Sequence, residues 1–234
     1  MVPIRSYTNW NTRSSDSDEQ ITPYRHYYFM CEGRNTEKWY FEKIIDIRKE
    51  LSIHSRIDMI YLEKTEEHEN LSDPKKLIEF ANEQINNGSI DFYDDLDKMI
   101  IVFDADVFET QRNDYSKVLA LSSETNILAV TNPSFELFLL LHKENAFEEI
   151  LHPNETEIIQ NNWVGTGASR RRFVEDLFRK TYGMRPKTNE NIANLAYDVR
   201  IAIDQESKLN NDITIITSNI GCIIQSIMDD QCNS

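Results

Sequence analysis

The sequence predicts an α/β fold in which helices flank a parallel β-sheet, followed by a mainly helical C-terminal cap. Strand-like and helix-like segments alternate from about residue 24 to residue 142, and this alternation is typical of a parallel sheet covered by helices. The central strand-like segment, Met99–Phe103, is a continuous apolar run. Such a run indicates a strand that is buried on both faces.

Composition divides the chain into three regions. Residues 1–22 are polar and are predicted to form a flexible N-terminal arm. Residues 23–150 carry the alternating pattern and are predicted to form the α/β domain. Residues 151–234 contain helical patterns and a loop rich in glycine and asparagine at Asn161–Ser169. We expect this third region to pack on the sheet domain.

Each element of the α/β domain has its own local signal. Strands are indicated by β-branched and aromatic runs, and helices by apolar residues at helical spacing. Thr36 is the expected N-cap of the first helix, and Pro74 opens the second. The predicted elements are strand Tyr24–Cys31, helix Glu37–Leu51, strand Arg56–Leu62, helix Pro74–Ile85, strand Met99–Phe103, helix Tyr115–Leu121, strand Asn126–Val130 and helix Phe135–His142.

The C-terminal region has a different pattern. Helices are predicted over Arg171–Thr181, Glu190–Leu209 and Ile220–Met228, with a short β-rich run at Ile213–Thr217. The three cysteines of the chain are widely spaced and fit neither a zinc site nor a disulfide framework. With no apolar run near membrane-helix length and no signal-peptide core, we expect a protein of the reducing cytoplasm, without a membrane partner.

A pair of aspartates, Asp104 and Asp106, follows the central strand. Side chains at i and i+2 share one face of a strand, so the two carboxylates are expected to project together and to repel each other unless a cation lies between them. We expect Mg²⁺, with Mn²⁺ as the alternative. Acidic pairs also occur in solvent-facing loops, and the pair alone leaves both interpretations open.

Two further carboxylates are expected at the same edge of the sheet. Glu32 follows the first strand and Glu136 lies in the first turn of the helix after the fourth. The carboxyl ends of neighbouring parallel strands converge, and clustered carboxylates suit metal-dependent phosphoryl transfer. Nearby, His142 ends an apolar helix, where it either caps the helix or serves the site.

The net charge of −15 argues against binding nucleic acid by bulk attraction. Residues 170–187, however, carry seven basic residues against two acidic ones, so this segment is +5 and the remainder −20. It is either a solvated face or a contact for a nucleic-acid backbone. Trp163 in the preceding loop either stacks a base or plugs the cap against the core. The candidate nucleic-acid residues are Arg170, Arg171, Arg172, Arg179, Lys180 and Arg185.

Three blocks resemble motifs of the RloB-like family of Toprim-domain proteins. Residues 31–41, C-E-G-R-N-T-E-K-W-Y-F, resemble the first Toprim motif, and V-F-D-A-D at 102–106 resembles the Toprim D-x-D motif. T-N-P-S-F-E-L-F-L-L-L-H at 131–142 resembles the N-P-x-F-E-x-W block, and S-N-I-G at 218–221 a weaker S-N-P segment. The resemblance covers most of residues 25–228. Ala105 and Phe138 depart from it, since relatives carry arginine and tryptophan there.

The resemblance implies a Toprim fold and a set of site residues. Glu32 is implied to act as general acid or base, or as a metal ligand, and Asp104 and Asp106 to bind Mg²⁺. Glu37 and Glu136 belong to the RloB-like pattern and are less defined, because a carboxylate in a first helical turn also suits the positive helix N-terminus.

The resemblance also implies a function and partners. RloB-like proteins are similar to the tRNA-cutting Toprim effector of PARIS-type anti-phage systems. The resemblance implies a metal-dependent nuclease whose first-choice substrate is RNA, in particular tRNA, and whose second-choice substrate is DNA. It also implies that the nuclease works beside an ABC- or AAA-type ATPase encoded nearby. A homodimer is an open expectation. The alternative is a non-catalytic Toprim subunit that docks on the ATPase. There is no G-x-G-x-x-G or P-loop motif to favour a dinucleotide or nucleotide site.

Overall fold

A computed structural model describes residues 5–7, 24–64, 73–105, 117–118, 120–210, 212 and 214–232. The strands are β1 (Arg5–Tyr7), β2 (Arg25–Cys31), β3 (Ile57–Glu63), β4 (Lys98–Asp104), β5 (Asn126–Asn132), β6 (Trp163–Val164), β7 (Arg171–Arg172) and β8 (Thr217–Ser218). Six of them form a central sheet in the order β1–β3–β2–β4–β5–β8, and β6 and β7 form a separate two-stranded ribbon.

The four long strands confirm the predicted parallel sheet. β2 pairs in parallel with β3 on one side and with β4 on the other, and β4 pairs in parallel with β5. The chain therefore steps from β2 out to β3 and then crosses back past β2 to β4. The crevice between the carboxyl ends of β2 and β4 is the topological switch point, where open α/β sheets bind their ligands.

Helices cover both faces of this sheet. The α-helices are α1 (Thr36–Asp46), α2 (Pro74–Asn86), α3 (Phe135–Leu140), α4 (Glu155–Gln160), α5 (Phe173–Tyr182), α6 (Val199–Glu206) and α7 (Ile220–Asp229). A π-helical turn spans Phe147–Leu151, and 3₁₀ segments span His152–Asn154, Gly167–Ser169 and Glu190–Asp198. None of the described helices is long and apolar enough to cross a membrane.

Alternate strand residues supply two cores. Phe29 of β2 and Ile100 of β4 lie in the larger core, with α1, α3 and the helices of the C-terminal region. Met30 and Ile101, their chain neighbours, lie in the smaller core against α2. This alternation explains why the central strands are apolar without interruption, because neither face of them meets water.

The ends of the sheet depart from the prediction. Both edge strands, β1 and β8, run antiparallel to their neighbours. β1 comes from residues 5–7, within the predicted flexible arm, and the other arm residues lie outside the described ranges. β8 comes from the C-terminal region, so this mainly helical region completes the sheet as well as covering it.

Three local predictions also need correction. The predicted helix Glu190–Leu209 is a 3₁₀ segment over Glu190–Asp198 followed by the α-helix α6 over Val199–Glu206. Thr36 is the first residue of α1 rather than its N-cap, and its hydroxyl instead donates to the carbonyl of Pro186 at 3.0 Å. Arg171 and Arg172 form β7, whereas the sequence placed them at the start of a helix. The helix itself, α5, begins at Phe173.

Candidate active site

Glu32 and Asp104 meet at the switch point between β2 and β4. The amide of Glu32 donates to the carbonyl of Val102 at 2.8 Å, which extends the β2–β4 ladder by one residue. The amide of Asp104 donates back to Oε2 of Glu32 at 3.2 Å. The Glu32 carboxylate is thus held at the end of β4, next to the Asp104 backbone.

Asp104 is tied in turn to α3. Its Oδ1 accepts from the amide of Phe135, the first residue of α3, at 2.8 Å. One residue earlier, the hydroxyl of Ser134 donates to Oε2 of Glu136 at 2.7 Å, and Glu136 is only 7% exposed. The block resembling N-P-x-F-E-x-W therefore fixes the Asp104 carboxylate and brings Glu136 to the same edge.

Glu37 reaches this edge from the first turn of α1. Its carboxylate lies over the Cα of Gly33: a Cβ at that position would be 1.9 Å from Oε2 of Glu37. Burial, aided by the negative charge of Glu136, raises the pKa of Glu37 to about 7, although its own backbone amide acts in the opposite direction. Glu37 is therefore poised to exchange a proton near neutral pH.

The structure adds charged residues that the sequence did not single out. Lys64, just after β3, donates from Nζ to the carbonyl of Glu32. Lys187 lies 3.8 Å from Glu175 of α5. Burial raises the pKa of Glu175 and the charge of Glu136 raises it further, whereas the positive charge of Lys187 opposes the rise at both Glu175 and Glu37.

A loop of the C-terminal region holds Lys187 there. The side-chain amide of Asn35 donates to the carbonyl of Lys187 at 3.1 Å, beside the Thr36–Pro186 hydrogen bond. The strand-end rule that located Glu32 also applies to Lys64. No local pattern identifies Glu175 or Lys187, because their proximity depends on how the C-terminal region docks.

The metal-ligand set is only partly described. Glu32 and Asp104 provide carboxylate oxygens of the kind that Mg²⁺ prefers, while Asp106 lies outside the described residues. Among the described residues, no three acidic, histidine or cysteine side chains form a metal-binding group. The two carboxylates fit Mg²⁺ as a partial set, since this ion commonly takes only one or two protein carboxylates and keeps several waters.

His142 does not belong to this edge. It is 3% exposed, its Nε2 lies 2.9 Å from the hydroxyl of Tyr40, and its Nδ1 lies 3.2 Å from the carbonyls of Phe138 and Leu139. Burial lowers the pKa of His142 to about 4, so the ring is neutral at physiological pH. Of the two roles that the sequence left open, the structure supports the helix-terminal one.

Four of the six candidate nucleic-acid residues form two pairs in the structure, and Arg179 and Arg185 belong to neither pair. Asp176 holds two of them, Arg171 at 2.6 Å and Lys180 at 2.8 Å. Arg170 and Arg172 lie over the ring of Trp163, at 4.6 and 4.7 Å from its centroid. Arg179 lies in the last turn of α5, and Arg185 is exposed in the loop that leads to Lys187.

The fold and site define a class of protein: an α/β protein with a mostly parallel sheet whose switch point gathers carboxylates. The chain belongs to the RloB-like protein family, whose match spans residues 27–227. This confirms the RloB-like part of the resemblance found in the motifs. Comparisons with curated proteins and with solved structures gave no match.

Proposed function

We propose that this RloB-like protein is a metal-dependent nuclease of the Toprim type. Its first-choice substrate is RNA, in particular tRNA, and its second-choice substrate is DNA. It acts as the toxic effector of an anti-phage system. The observation that carries the proposal is the Glu32 carboxylate fixed beside Asp104 at the switch point of the sheet. At the same edge, burial raises the pKa of Glu37 and the negative charge of Glu136 raises it further.

Glu32 and Asp104, with Asp106, are the residues proposed to hold Mg²⁺ or Mn²⁺. When bound, such an ion supplies charge neutralisation at a phosphate and a water of lowered pKa. The chain's own residues do the rest. Glu37, whose pKa burial raises to about 7, holds or releases a proton at its carboxylate, and the negative charge of Glu136 adds to that rise. Lys187 faces the edge with a side chain that is 70% exposed and so can meet a phosphate.

The proposal includes a setting. The partners are a nucleic-acid substrate and an ABC- or AAA-type ATPase encoded nearby, with a homodimer as a further arrangement. The compartment is the reducing cytoplasm, which suits the free thiols of Cys31, Cys222 and Cys232.

Cleavage assays test the proposal. Purified protein is incubated with tRNA and with DNA in Mg²⁺, with and without the ATPase. We expect Asp104→Asn to lower cleavage by about 10- to 100-fold or more, because it weakens the carboxylate cluster. Glu63→Gln is the matched control: Glu63 is also the last residue of a parallel strand, but it pairs with Lys38. Equal cleavage by wild type and Asp104→Asn in every mixture contradicts the proposal.

One observation favours the second candidate, a non-catalytic subunit that docks on the ATPase. Asp176 already pairs with both Arg171 and Lys180, so the basic segment offers fewer unpaired cations than its sequence indicates. Calorimetric titration with Mg²⁺ separates the two candidates. A nuclease shows binding that Glu32→Gln removes and Glu63→Gln keeps, whereas a docking subunit shows no binding that depends on Glu32.

A further inference from the structure

The β6–β7 ribbon presents an aromatic ring and two cations on one face. Trp163 is directly opposite Arg172 in the antiparallel register, and Arg170 is the diagonal neighbour on the same face. Both guanidinium groups lie within 5 Å of the ring centroid, at 4.6 and 4.7 Å. The Trp163 side chain is nevertheless 52% exposed, so the ring does not plug the core.

The ribbon is held by hydrogen bonds of its own. Its turn is closed by Thr166 and Ser169, whose side chains and amides bond each other reciprocally. Gly165 is required there, since its φ is +79° and a Cβ would lie 2.8 Å from the carbonyl oxygen of Ser169. At its base, Arg172 donates to the carbonyl of the fully buried Asn161 at 3.2 Å.

The opposite face of the ribbon is occupied by the protein itself. Arg171 alternates away from Trp163 along β7, and its guanidinium donates to Asp176 at 2.6 Å and to the carbonyl of Ser169 at 2.8 Å. Arg170, in contrast, forms no ion pair within the part of the chain that the structure describes. The charge of Arg170 and the exposed part of the Trp163 ring therefore lie together on one face.

We infer that this face binds an unpaired nucleotide of a nucleic acid, with the base stacked on Trp163 and the adjacent phosphates on Arg170 and Arg172. An aromatic ring beside cations is the arrangement that holds single strands, because every base has a π-face. A base inside a duplex has no such face free. Because the chain as a whole has a net charge of −15, phosphates are attracted to the positive ribbon rather than to the rest of the surface. The inference rests on the proposed action on nucleic acids and adds that the contacted segment is unpaired.

Binding measured in EDTA tests this without cleavage. Fluorescence anisotropy compares the wild-type chain with three labelled probes: an RNA stem-loop, a single-stranded DNA with the loop sequence, and a fully paired duplex. We expect the two probes with unpaired bases to bind more tightly than the duplex. Trp163→Ala should weaken their binding by about 10-fold and Trp163→Phe by less, because phenylalanine keeps a stacking face.

The matched control is Tyr197→Ala. Tyr197 is 57% exposed and has the Lys43 ammonium 4.6 Å from its ring centroid, so it is another aromatic–cation surface pair, and we expect no change. Tryptophan fluorescence gives a second readout: wild type should be quenched by the unpaired probes and Trp163→Phe should not.

The outcomes separate this inference from the proposed function. The inference is overturned if Trp163→Ala binds the unpaired probes as tightly as wild type does, or if it loses as much affinity for the duplex as for the unpaired probes. Neither result affects the proposed nuclease, because cleavage is assayed separately through Asp104. A wild-type chain that binds none of the probes overturns the inference as well, and cleavage without such binding leaves the nuclease standing. Unpaired DNA preferred over unpaired RNA keeps the stacking role and reverses the order of substrates.

Discussion

Glu37 is the residue whose protonation should be visible in the stability of the protein. Its pKa is about 7 in the folded chain, against an ordinary value of 4.5, mainly because it is buried. A raised folded-state pKa means that the folded chain binds the proton more tightly. The corresponding contribution to stability is fully present below about pH 4.5 and is lost as the pH rises to about 7.

Replacing Glu37 by glutamine should remove this pH-dependent loss of stability. We expect the free energy of unfolding of Glu37→Gln minus that of wild type to become about 1–3 kcal/mol more positive between pH 4.5 and pH 8. Urea denaturation in EDTA at several pH values measures it. Glu148→Gln, at an exposed glutamate, should show no such trend. A difference between Glu37→Gln and wild type that is constant with pH contradicts the assignment.

Gly33 should matter only through Glu37. Its φ lies outside the left-handed region, and the atoms nearest to an added Cβ belong to the Glu37 carboxylate. Gly33→Ala should therefore push that carboxylate toward water and abolish the same pH-dependent loss of stability. In a cleavage assay, the double variant Gly33→Ala, Glu37→Gln should be as active as the less active of the two single variants, since both changes remove the same interaction. If the fold-losses of the two single variants multiply in the double variant, Gly33 acts independently of Glu37.

At the scale of elements, the side chain of Asn219 bonds to the edge of β5 beyond the end of β8. β8 pairs with only the last two residues of β5. Beyond it, Oδ1 of Asn219 accepts from the amide of Val130 at 2.7 Å, and Nδ2 donates to the carbonyl of Leu128 at 2.9 Å. The side-chain amide therefore continues the hydrogen bonding of the sheet edge. This explains the S-N-I-G segment in physical terms.

Asn219→Ala should leave these two backbone groups of β5 without their partner. We expect a loss of about 2 kcal/mol in the free energy of unfolding, since each unsatisfied buried group costs about 1 kcal/mol or more. Asn219→Asp keeps the acceptor for Val130 but places a second oxygen against the carbonyl of Leu128, so it should not recover the loss. The control is Asn194→Ala, at an exposed asparagine. Thermal and urea denaturation measure both, and a loss equal to that of the control contradicts the role.

The sequence predicts the long elements well and the short ones poorly. β2 to β5, α2 and α7 match their predicted positions because each is long enough for its apolar pattern to register. The ribbon and β8 have strands of two residues, which are too short to show any period. Their positions are fixed by partners far along the chain, such as β5 for β8.

The same distinction applies to the site. Glu32 and Asp104 follow from the strand-end rule, since they come directly from neighbouring parallel strands. Glu175 and Lys187 could not be predicted, because they depend on hydrogen bonds between residues about 150 positions apart, such as Thr36 to Pro186. Ala105 is buried at 4% exposure in the smaller core. A small apolar residue between the aspartates suits that packing.

At the scale of the whole molecule, the C-terminal region and the sheet share one core. Phe178 of α5 and Ile224 of α7 are fully buried in the same cluster as Phe29 of β2. The last described residues are also tied to β2, since Asp230 accepts from Arg25 at 2.5 Å and from the hydroxyl of Tyr27 at 2.8 Å. The larger face of the sheet is therefore covered by residues that follow position 150 together with α1 and α3.

Residues 23–150 alone should accordingly not form a stable sheet domain. Removing residues 151–234 uncovers the larger core and strips β8 from β5, and burial of apolar surface is the main stabilising contribution to folding. We expect this fragment to lack a cooperative unfolding transition, whereas the full chain unfolds in a single one. Circular dichroism during urea denaturation, with amide proton spectra of both chains, measures the difference. The milder variant Asp230→Ala loosens only the contact with β2 and should keep one transition at a lower midpoint. Two resolved transitions in the full chain, or a cooperative fragment, would show two independent folding units.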